Sequence, residues 1–201
     1  MEPLDIEGPE GRLEAEFVAV ENPRGIAILC HPHPLYGGNM HDAVLGKLET
    51  VLNHKNWSTL RFNFRGVGHS DGSYDGGLGE VDDLLAAHRW AVNRCAVDRI
   101  LLAGYSFGAI VTINAAARIV PSSELDKLIL VAPPLALLEK PVKPEKFQVK
   151  IFAGTEDQWV SVSDCQTWLE DSGNLEIIEG ADHFFGGMLS QLGEAVARNL
   201  S

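Results

Sequence analysis

The sequence predicts a single α/β domain built on a mostly parallel sheet with helices on both faces. Three observations support this prediction. The chain has 201 residues, of which 45% are hydrophobic and 22% charged, and these values are typical of one soluble globular domain. Short apolar or β-branched runs alternate with longer segments of helical periodicity. There is no internal repeat, low-complexity tract or linker-like run, so residues 1–201 are taken as one domain.

The N-terminal segment has the pattern of an antiparallel hairpin. Two strand-like runs, 4–6 and 13–20, flank a turn at 8–11 that contains two glycines and a proline. We expect this hairpin on the edge of the sheet.

Six further runs are short and rich in apolar or β-branched residues, as buried strands are. Their alternation with helical segments favours a parallel sheet that is covered on both faces. They cover residues 25–30, 58–64, 99–104, 128–132, 149–153 and 175–178.

Apolar stripes at helical spacing predict the covering helices. Asn39 is expected to cap the first helix, and the fourth is expected to start near Ser161. The third is apolar on nearly every side, which predicts central packing against the sheet. The five helical segments are 44–52, 81–92, 107–120, 162–169 and 189–196.

Charge and cysteine content restrict the partners and the compartment. The chain has 28 Asp and Glu against 16 Lys and Arg, and its net charge of -12 would repel nucleic acid and anionic lipid, so we expect neither a nucleic-acid nor a membrane partner. No signal-like N-terminus or membrane-length apolar run is present, and we expect a cytoplasmic protein. The cysteines are odd in number and form no CxxC pair, which suits a reducing compartment. They are Cys30, Cys95 and Cys165.

The strongest catalytic candidate is Ser106, in Gly104-Tyr-Ser-Phe-Gly108. This GxSxG motif follows a predicted strand and precedes the apolar helix, and strand-turn-helix is the setting of a nucleophilic serine. The motif has a small residue, glycine, at each end because the sharp turn leaves no room there for side chains, and the helix N-terminus directs N–H groups at developing negative charge. A serine hydroxyl also needs a base within hydrogen-bond reach and a third group that fixes the tautomer of that base.

His183 is the candidate base and Asp157 the candidate acid. His183 lies in a loop after the last predicted strand, at the carboxyl edge of the sheet, where such sites lie. Asp157 closes the strand over 149–153 at the same edge. Glu156 and Asp182 are neighbouring carboxylates. Because successive residues on an extended chain point opposite ways, only one of Glu156 and Asp157 can face the histidine.

With these motifs the chain resembles the α/β-hydrolase superfamily, and more narrowly its small, cap-less, dienelactone-hydrolase-like members. The resemblance covers nearly the whole chain and includes the order Ser, Asp, His. It also rests on Cys30-His-Pro-His-Pro-Leu-Tyr-Gly-Gly-Asn-Met40 and on Phe62-Asn-Phe-Arg-Gly-Val-Gly-His-Ser70, which is similar to the family's Arg-Gly-x-Gly-x-Ser signature. It implies an α/β-hydrolase fold and a carboxylesterase-type serine hydrolase that forms an acyl-enzyme.

The resemblance further implies an oxyanion hole in which the N–H of Phe107 is joined by a donor from the first loop. His33 is the expected backbone donor, because Pro32 and Pro34 have no N–H, and Leu35 stays open as the alternative. Dienelactone hydrolases have a cysteine nucleophile where this elbow has serine, so the resemblance does not extend to their substrate.

Two other motifs are expected to be structural. His31 and His33 have the spacing of a metal-binding pair, but no third ligand follows at convincing spacing, so we expect no metal and no cofactor. The glycine-rich loop 66–72 differs from a dinucleotide loop because its third glycine comes one residue late and no helix opens there. Arg65 and Ser70 are expected to tie this loop down.

The expected substrate is a small-molecule ester in a shallow, open site. The family commonly inserts a cap before the strand over 149–153, but here Pro141 and Pro144 leave at most one apolar turn over 135–138. A thioesterase, an amidase and a non-catalytic binding protein of the same fold stay open as alternatives. The expected walls of the site are Tyr36, Tyr105, Trp159 and Phe184.

Overall fold

The computed structural model of the chain describes residues 2–94, 99–119, 125–138, 148–170 and 174–200. Cys30 and Cys165 are buried free thiols, whereas Cys95, Pro141 and Pro144 lie outside the described residues. Within the described ranges, no helix combines the length and the apolar character that a membrane crossing requires.

The strands of the described residues form one eight-stranded sheet. In chain order they are β1 Glu2–Gly8, β2 Gly11–Val18, β3 Gly25–Cys30, β4 Trp57–Phe62, β5 Ile100–Tyr105, β6 Leu125–Val131, β7 Gln148–Gly154 and β8 Leu175–Ile178. They lie side by side in the order β1-β2-β4-β3-β5-β6-β7-β8. The β1–β2 and β2–β4 pairs are antiparallel and all the other pairs are parallel, which confirms the predicted architecture with its N-terminal hairpin at one edge.

The helices cover a sheet whose central strands are buried throughout. Every residue of β3, β4 and β5 is buried, as expected of parallel strands packed on both faces. The helices pack in two pairs, α1 with α5 and α2 with α3. Their bounds are α1 Ala43–His54, α2 Leu78–Arg94, α3 Phe107–Ile119, α4 Val162–Leu169 and α5 Leu189–Arg198.

The starts of two helices test the predicted caps. Ser161 caps α4 as predicted, because its hydroxyl accepts a hydrogen bond from the Asp164 N–H. The prediction that Asn39 caps α1 is wrong. Asp42 is the cap, with its carboxylate 2.8 Å from the Val44 N–H, whereas the Asn39 amide oxygen accepts from the His41 N–H in the preceding turn.

The glycine-rich loop after β4 is held to the sheet by the two predicted residues. The buried Arg65 guanidinium forms an ion pair with the fully buried Asp83 at 2.8 Å. The Ser70 hydroxyl donates to the Asn63 carbonyl at 2.8 Å and accepts from the Glu14 N–H at 2.9 Å. These contacts confirm the tie-down role.

The connection from β6 to β7 is too short for a cap domain. Only residues 132–147 separate the two strands, and the single apolar turn predicted over 135–138 is a 3-10 turn at Leu135–Leu137. The carboxyl ends of β3, β5, β7 and β8 meet at one edge of the sheet, so the loops that follow them converge there.

Candidate active site

Ser106 occupies a tight turn between β5 and α3. Its φ is +54°, in the left-handed region that favours glycine, and its N–H donates to the Val131 carbonyl at 2.9 Å. A Cβ on Gly104 would lie 2.3 Å from the Gly108 carbonyl oxygen, and a Cβ on Gly108 would lie 2.3 Å from that of Cys30. The chain therefore passes so close to itself that only glycine fits at positions 104 and 108.

The three predicted catalytic side chains form one hydrogen-bonded chain. His183 Nε2 lies 2.9 Å from Ser106 Oγ, and His183 Nδ1 lies 2.7 Å from Asp157 Oδ2. The Asp157 side chain is fully buried, and its Oδ1 accepts from the N–H groups of Trp159 and Val160 at 2.9 Å each. Because the carboxylate accepts, the imidazole proton lies on Nδ1, and Nε2 is left to accept the serine proton.

The neighbouring carboxylates lie elsewhere. Glu156 is exposed. Its backbone N–H donates to the Ala181 carbonyl at 3.0 Å and so joins the loop after β7 to the loop after β8. Asp182 uses Oδ1 to accept from the Gly186 N–H at 2.9 Å. Asp157 is therefore the carboxylate that contacts His183.

Tyr105 supports the site from below instead of lining it. The expectation that Tyr105 forms a wall of the open site is wrong. Tyr105 is the last residue of β5, and it is buried, with an exposed fraction of 2%. Its phenol donates to the backbone carbonyl of His183 at 2.9 Å. Burial raises the pKa of the Tyr105 phenol, so this group stays a hydrogen-bond donor. The residue before the nucleophile thus anchors the histidine loop.

The two residues predicted to supply the oxyanion donors, Phe107 and His33, contact each other. Phe107 is the first residue of α3, and its ring centroid lies 4.9 Å from that of His33. The Leu35 N–H is already directed at His33 Nδ1 at 3.2 Å, within the 3-10 turn Pro34–Tyr36. This internal bond favours the backbone N–H of His33 over that of Leu35 as the second donor.

Tyr74 is a site residue that the sequence analysis missed. Its hydroxyl lies 3.1 Å from His33 Nε2, and its ring packs against both His33 and Phe107. Because His33 Nδ1 accepts from a backbone N–H, Nε2 carries the proton and donates to the phenol. Burial lowers the pKa of His33, which keeps the ring in this neutral form. The only sequence signal was the position of Tyr74 in a loop after β4, at the carboxyl edge.

The His31 imidazole is part of the core. Its Nδ1 donates to the Pro32 carbonyl at 2.7 Å, and its Nε2 accepts from the Phe64 N–H at 3.1 Å. Burial lowers the pKa of His31 to about 4. Both nitrogens of His31, like both nitrogens of His33, are thus engaged by groups of the protein.

The remaining expected wall residues stand at the surface beside the site. Trp159 and Phe184 are each 62% exposed, and their ring centroids lie 5.1 and 5.6 Å from that of His183. Tyr36 is 88% exposed and lies 4.7 Å from the His33 ring. Exposed apolar rings therefore stand next to both the histidine and the predicted oxyanion loop.

Comparison with known proteins identifies the fold family of the chain. Residues 36–164 match the model of the alpha/beta hydrolase fold family. An uncharacterized protein of Rickettsia prowazekii is 33% identical, over 98% of this chain and 87% of its own length. The structure of an alpha-beta serine hydrolase homologue from Coxiella burnetii is 36% identical with a TM-score of 0.90, covering 100% of this chain and 97% of its own. A serine hydrolase without lid from Xanthomonas campestris is 33% identical with a TM-score of 0.87, covering 98% and 92%.

Proposed function

Because this chain belongs to the α/β-hydrolase fold family, we propose that it is a serine hydrolase that cleaves small carboxylic esters through an acyl-enzyme on Ser106. The observation that carries the proposal is the continuous chain from Ser106 Oγ through His183 to Asp157, with links of 2.9 and 2.7 Å. Structures of a serine hydrolase homologue from Coxiella burnetii and a serine hydrolase from Xanthomonas campestris, at 36% and 33% identity, support the same reaction class.

In the first half of the reaction, Ser106 Oγ attacks the ester carbonyl carbon while His183 Nε2 takes the hydroxyl proton. The carbonyl oxygen becomes an oxyanion, which the backbone N–H groups of Phe107 and His33 are proposed to hold. Asp157 keeps the imidazole in the required tautomer and stabilises its charged form. The tetrahedral intermediate then loses the alcohol, which departs with the proton from His183 and leaves an acyl ester on Ser106.

In the second half, a water molecule attacks the acyl ester. His183 takes the proton of the water and returns it to Ser106 Oγ as the carboxylic acid leaves. The cycle needs only the ester, water and these side chains, and we propose no cofactor.

The exposure of the site favours small acyl groups. Tyr36, Trp159 and Phe184 stand beside the site, and residues 132–147 are too few to cover it with a domain. Each buried methylene contributes up to ~0.8 kcal/mol only while protein surface covers it. In a series of activated esters from acetyl to palmitoyl, we therefore expect the rate to be highest for the short acyl chains and to level off or fall for the longer ones.

Labelling by a fluorophosphonate, followed by turnover of matched substrates, tests this function. The purified protein should be labelled at Ser106 and should hydrolyse an ester faster than the thioester and the amide with the same acyl group. Ser106→Ala should lose both labelling and turnover while keeping the fold, as judged by circular dichroism. Turnover that survives in Ser106→Ala would overturn the mechanism, and faster cleavage of the thioester or amide would reassign the bond.

A further inference from the structure

We propose that the surface beside His183 is a leaving-group subsite for neutral esters of aromatic alcohols, and that Trp159 and Phe184 recognise the alcohol. The inference rests on the serine hydrolase function proposed above. It assigns one part of the ester to one side of the site.

The position of the leaving group follows from the proton transfer. The alcohol must depart beside His183 Nε2, since that nitrogen protonates it, whereas the carbonyl oxygen points to Phe107 and His33. The exposed rings in contact with the His183 imidazole are Trp159, at 5.1 Å, and Phe184, at 5.6 Å. Because both rings contact the imidazole that protonates the alcohol, we expect a departing alcohol to meet these two rings.

Both rings are attached directly to the catalytic residues. The Trp159 N–H donates to Asp157 Oδ1 at 2.9 Å, so the carboxylate that orients His183 also fixes the backbone of Trp159. Phe184 follows His183 in the chain and precedes Phe185, which is fully buried. The backbone of both residues thus has a set position relative to the reacting atoms.

The geometry of the two rings fits a planar apolar group. Their centroids lie 5.4 Å apart and their planes meet at 77°, so they form a corner. A flat ring placed in this corner can stack on one face and meet the other ring edge to face, which are the two favourable aromatic arrangements. Both side chains are 62% exposed, so such a ring would also cover apolar surface that water now contacts.

Charge and shape favour a neutral alcohol. The net charge of -12, with the exposed Glu156 and Asp182 close by in sequence, disfavours an anionic leaving group. Quaternary ammonium groups are bound by aromatic cages that surround the cation, whereas two perpendicular rings leave the other sides of a cation uncovered.

The test is a series of acetate esters of primary alcohols: methyl, butyl, benzyl and 2-naphthylmethyl acetate. The reacting centre stays nearly constant along the series, while the alcohol changes from a flexible chain to a flat ring. We expect kcat/KM to rise about tenfold from butyl to 2-naphthylmethyl acetate. A second series from ethyl acetate to ethyl butyrate varies only the acyl group.

Four variants locate the effect. Trp159→Ala and Phe184→Ala should each remove most of the rise along the alcohol series, whereas the ratio of kcat/KM between ethyl butyrate and ethyl acetate should stay within about twofold of the wild-type ratio. Trp159→Phe should restore part of the rise because it keeps a ring. Ile177→Ala is the matched control, since it removes an exposed apolar side chain from β8, and it should change neither series.

The outcomes separate this inference from the function on which it rests. A protein that is not labelled at Ser106 and hydrolyses none of the esters would refute the proposed function itself. A labelled, active protein whose alcohol series is flat, or whose Trp159→Ala variant changes only the acyl series, would overturn the leaving-group assignment. A preference of more than about tenfold for acetylcholine over its neutral isostere 3,3-dimethylbutyl acetate would identify a cation site and overturn it too.

Discussion

The Tyr105 phenol donates a hydrogen bond of 2.9 Å to the backbone carbonyl of His183. Tyr105 is the last residue of β5 and directly precedes Ser106, so one strand end carries the serine and also ties down the loop of the histidine that faces it. The bond joins the centre of the sheet to the loop after β8. It therefore sets the spacing of Ser106 and His183 independently of their own hydrogen bond.

Replacing Tyr105 by Phe should remove this anchor and keep the ring. The buried carbonyl of His183 would lose its partner, which costs about 1–3 kcal/mol of unfolding free energy. A small displacement of the imidazole should also lower kcat by about tenfold to a hundredfold. Urea unfolding and steady-state kinetics measure the two effects. If Ser106 is labelled by fluorophosphonate as fast as in wild type, the loop keeps its position without the bond.

Replacing Asp157 by Asn should lower kcat by about 10⁴-fold, the size seen when the triad aspartate of a serine protease is changed to asparagine. The Asn oxygen would keep the N–H groups of Trp159 and Val160, so its NH₂ would face His183 Nδ1. The imidazole would then place its proton on Nε2, where it cannot accept the serine proton. Glu156→Gln is the matched control and should be nearly silent. The reverse order of effects would assign the acid to Glu156.

Replacing His33 by Ala should lower kcat about tenfold or more and leave KM nearly unchanged. The backbone N–H remains in this variant, but the ring that is held by Leu35 N–H and Tyr74 no longer fixes its direction. Tyr74→Phe removes only the outer hydrogen bond and should cause a smaller fall. If His33→Ala raises KM and leaves kcat unchanged, the ring contacts substrate and does not position an oxyanion donor.

The free energy of unfolding should decrease as pH is lowered, because His31 becomes protonated. Its folded pKa of about 4 lies below the ordinary histidine pKa of 6.5, so the unfolded chain binds more protons between these pH values. The unfolding free energy should therefore decrease as pH falls from 6.5 to 4, by about 3 kcal/mol from this residue. Protonation would put an N–H on Nε2 against the Phe64 N–H. Denaturant unfolding of wild type and His31→Gln at both pH values measures the difference, and equal slopes would exclude His31 as the cause.

The architecture and the three catalytic candidates follow from local patterns. Strand runs, helix stripes and the GxSxG turn each depend on residues that are close together in the sequence, so their positions could be predicted. Asp157 and His183 were found because each follows a strand that ends at the same edge of the sheet. The choice between Asp157 and Glu156 needed the folded loop, in which only Asp157 points inward to His183.

The supporting contacts were not predictable because they join distant elements. Tyr74 meets His33 and Phe107 only because β4, β3 and β5 are neighbours in the sheet, an order that the sequence does not state. Tyr105 looked like a wall residue because it flanks Ser106, but its side chain is buried against the backbone of His183. Asn39 failed as a cap because its side chain bonds within its own turn and Asp42 lies at the first turn of α1.

The left-handed backbone conformation of Ser106 favours one substitution at this position, the replacement of serine by glycine. Glycine adopts φ +54° without the strain that serine bears, a difference of about 1 kcal/mol or more, so Ser106→Gly should unfold at higher denaturant than wild type. Loss of the proposed nucleophile would therefore increase stability, and only selection for turnover would oppose this change. In a lineage released from that selection, we expect glycine at this position first, with the sheet and the exposed aromatic rings preserved. Such a descendant would be a more stable protein that keeps a binding surface and has lost the reaction.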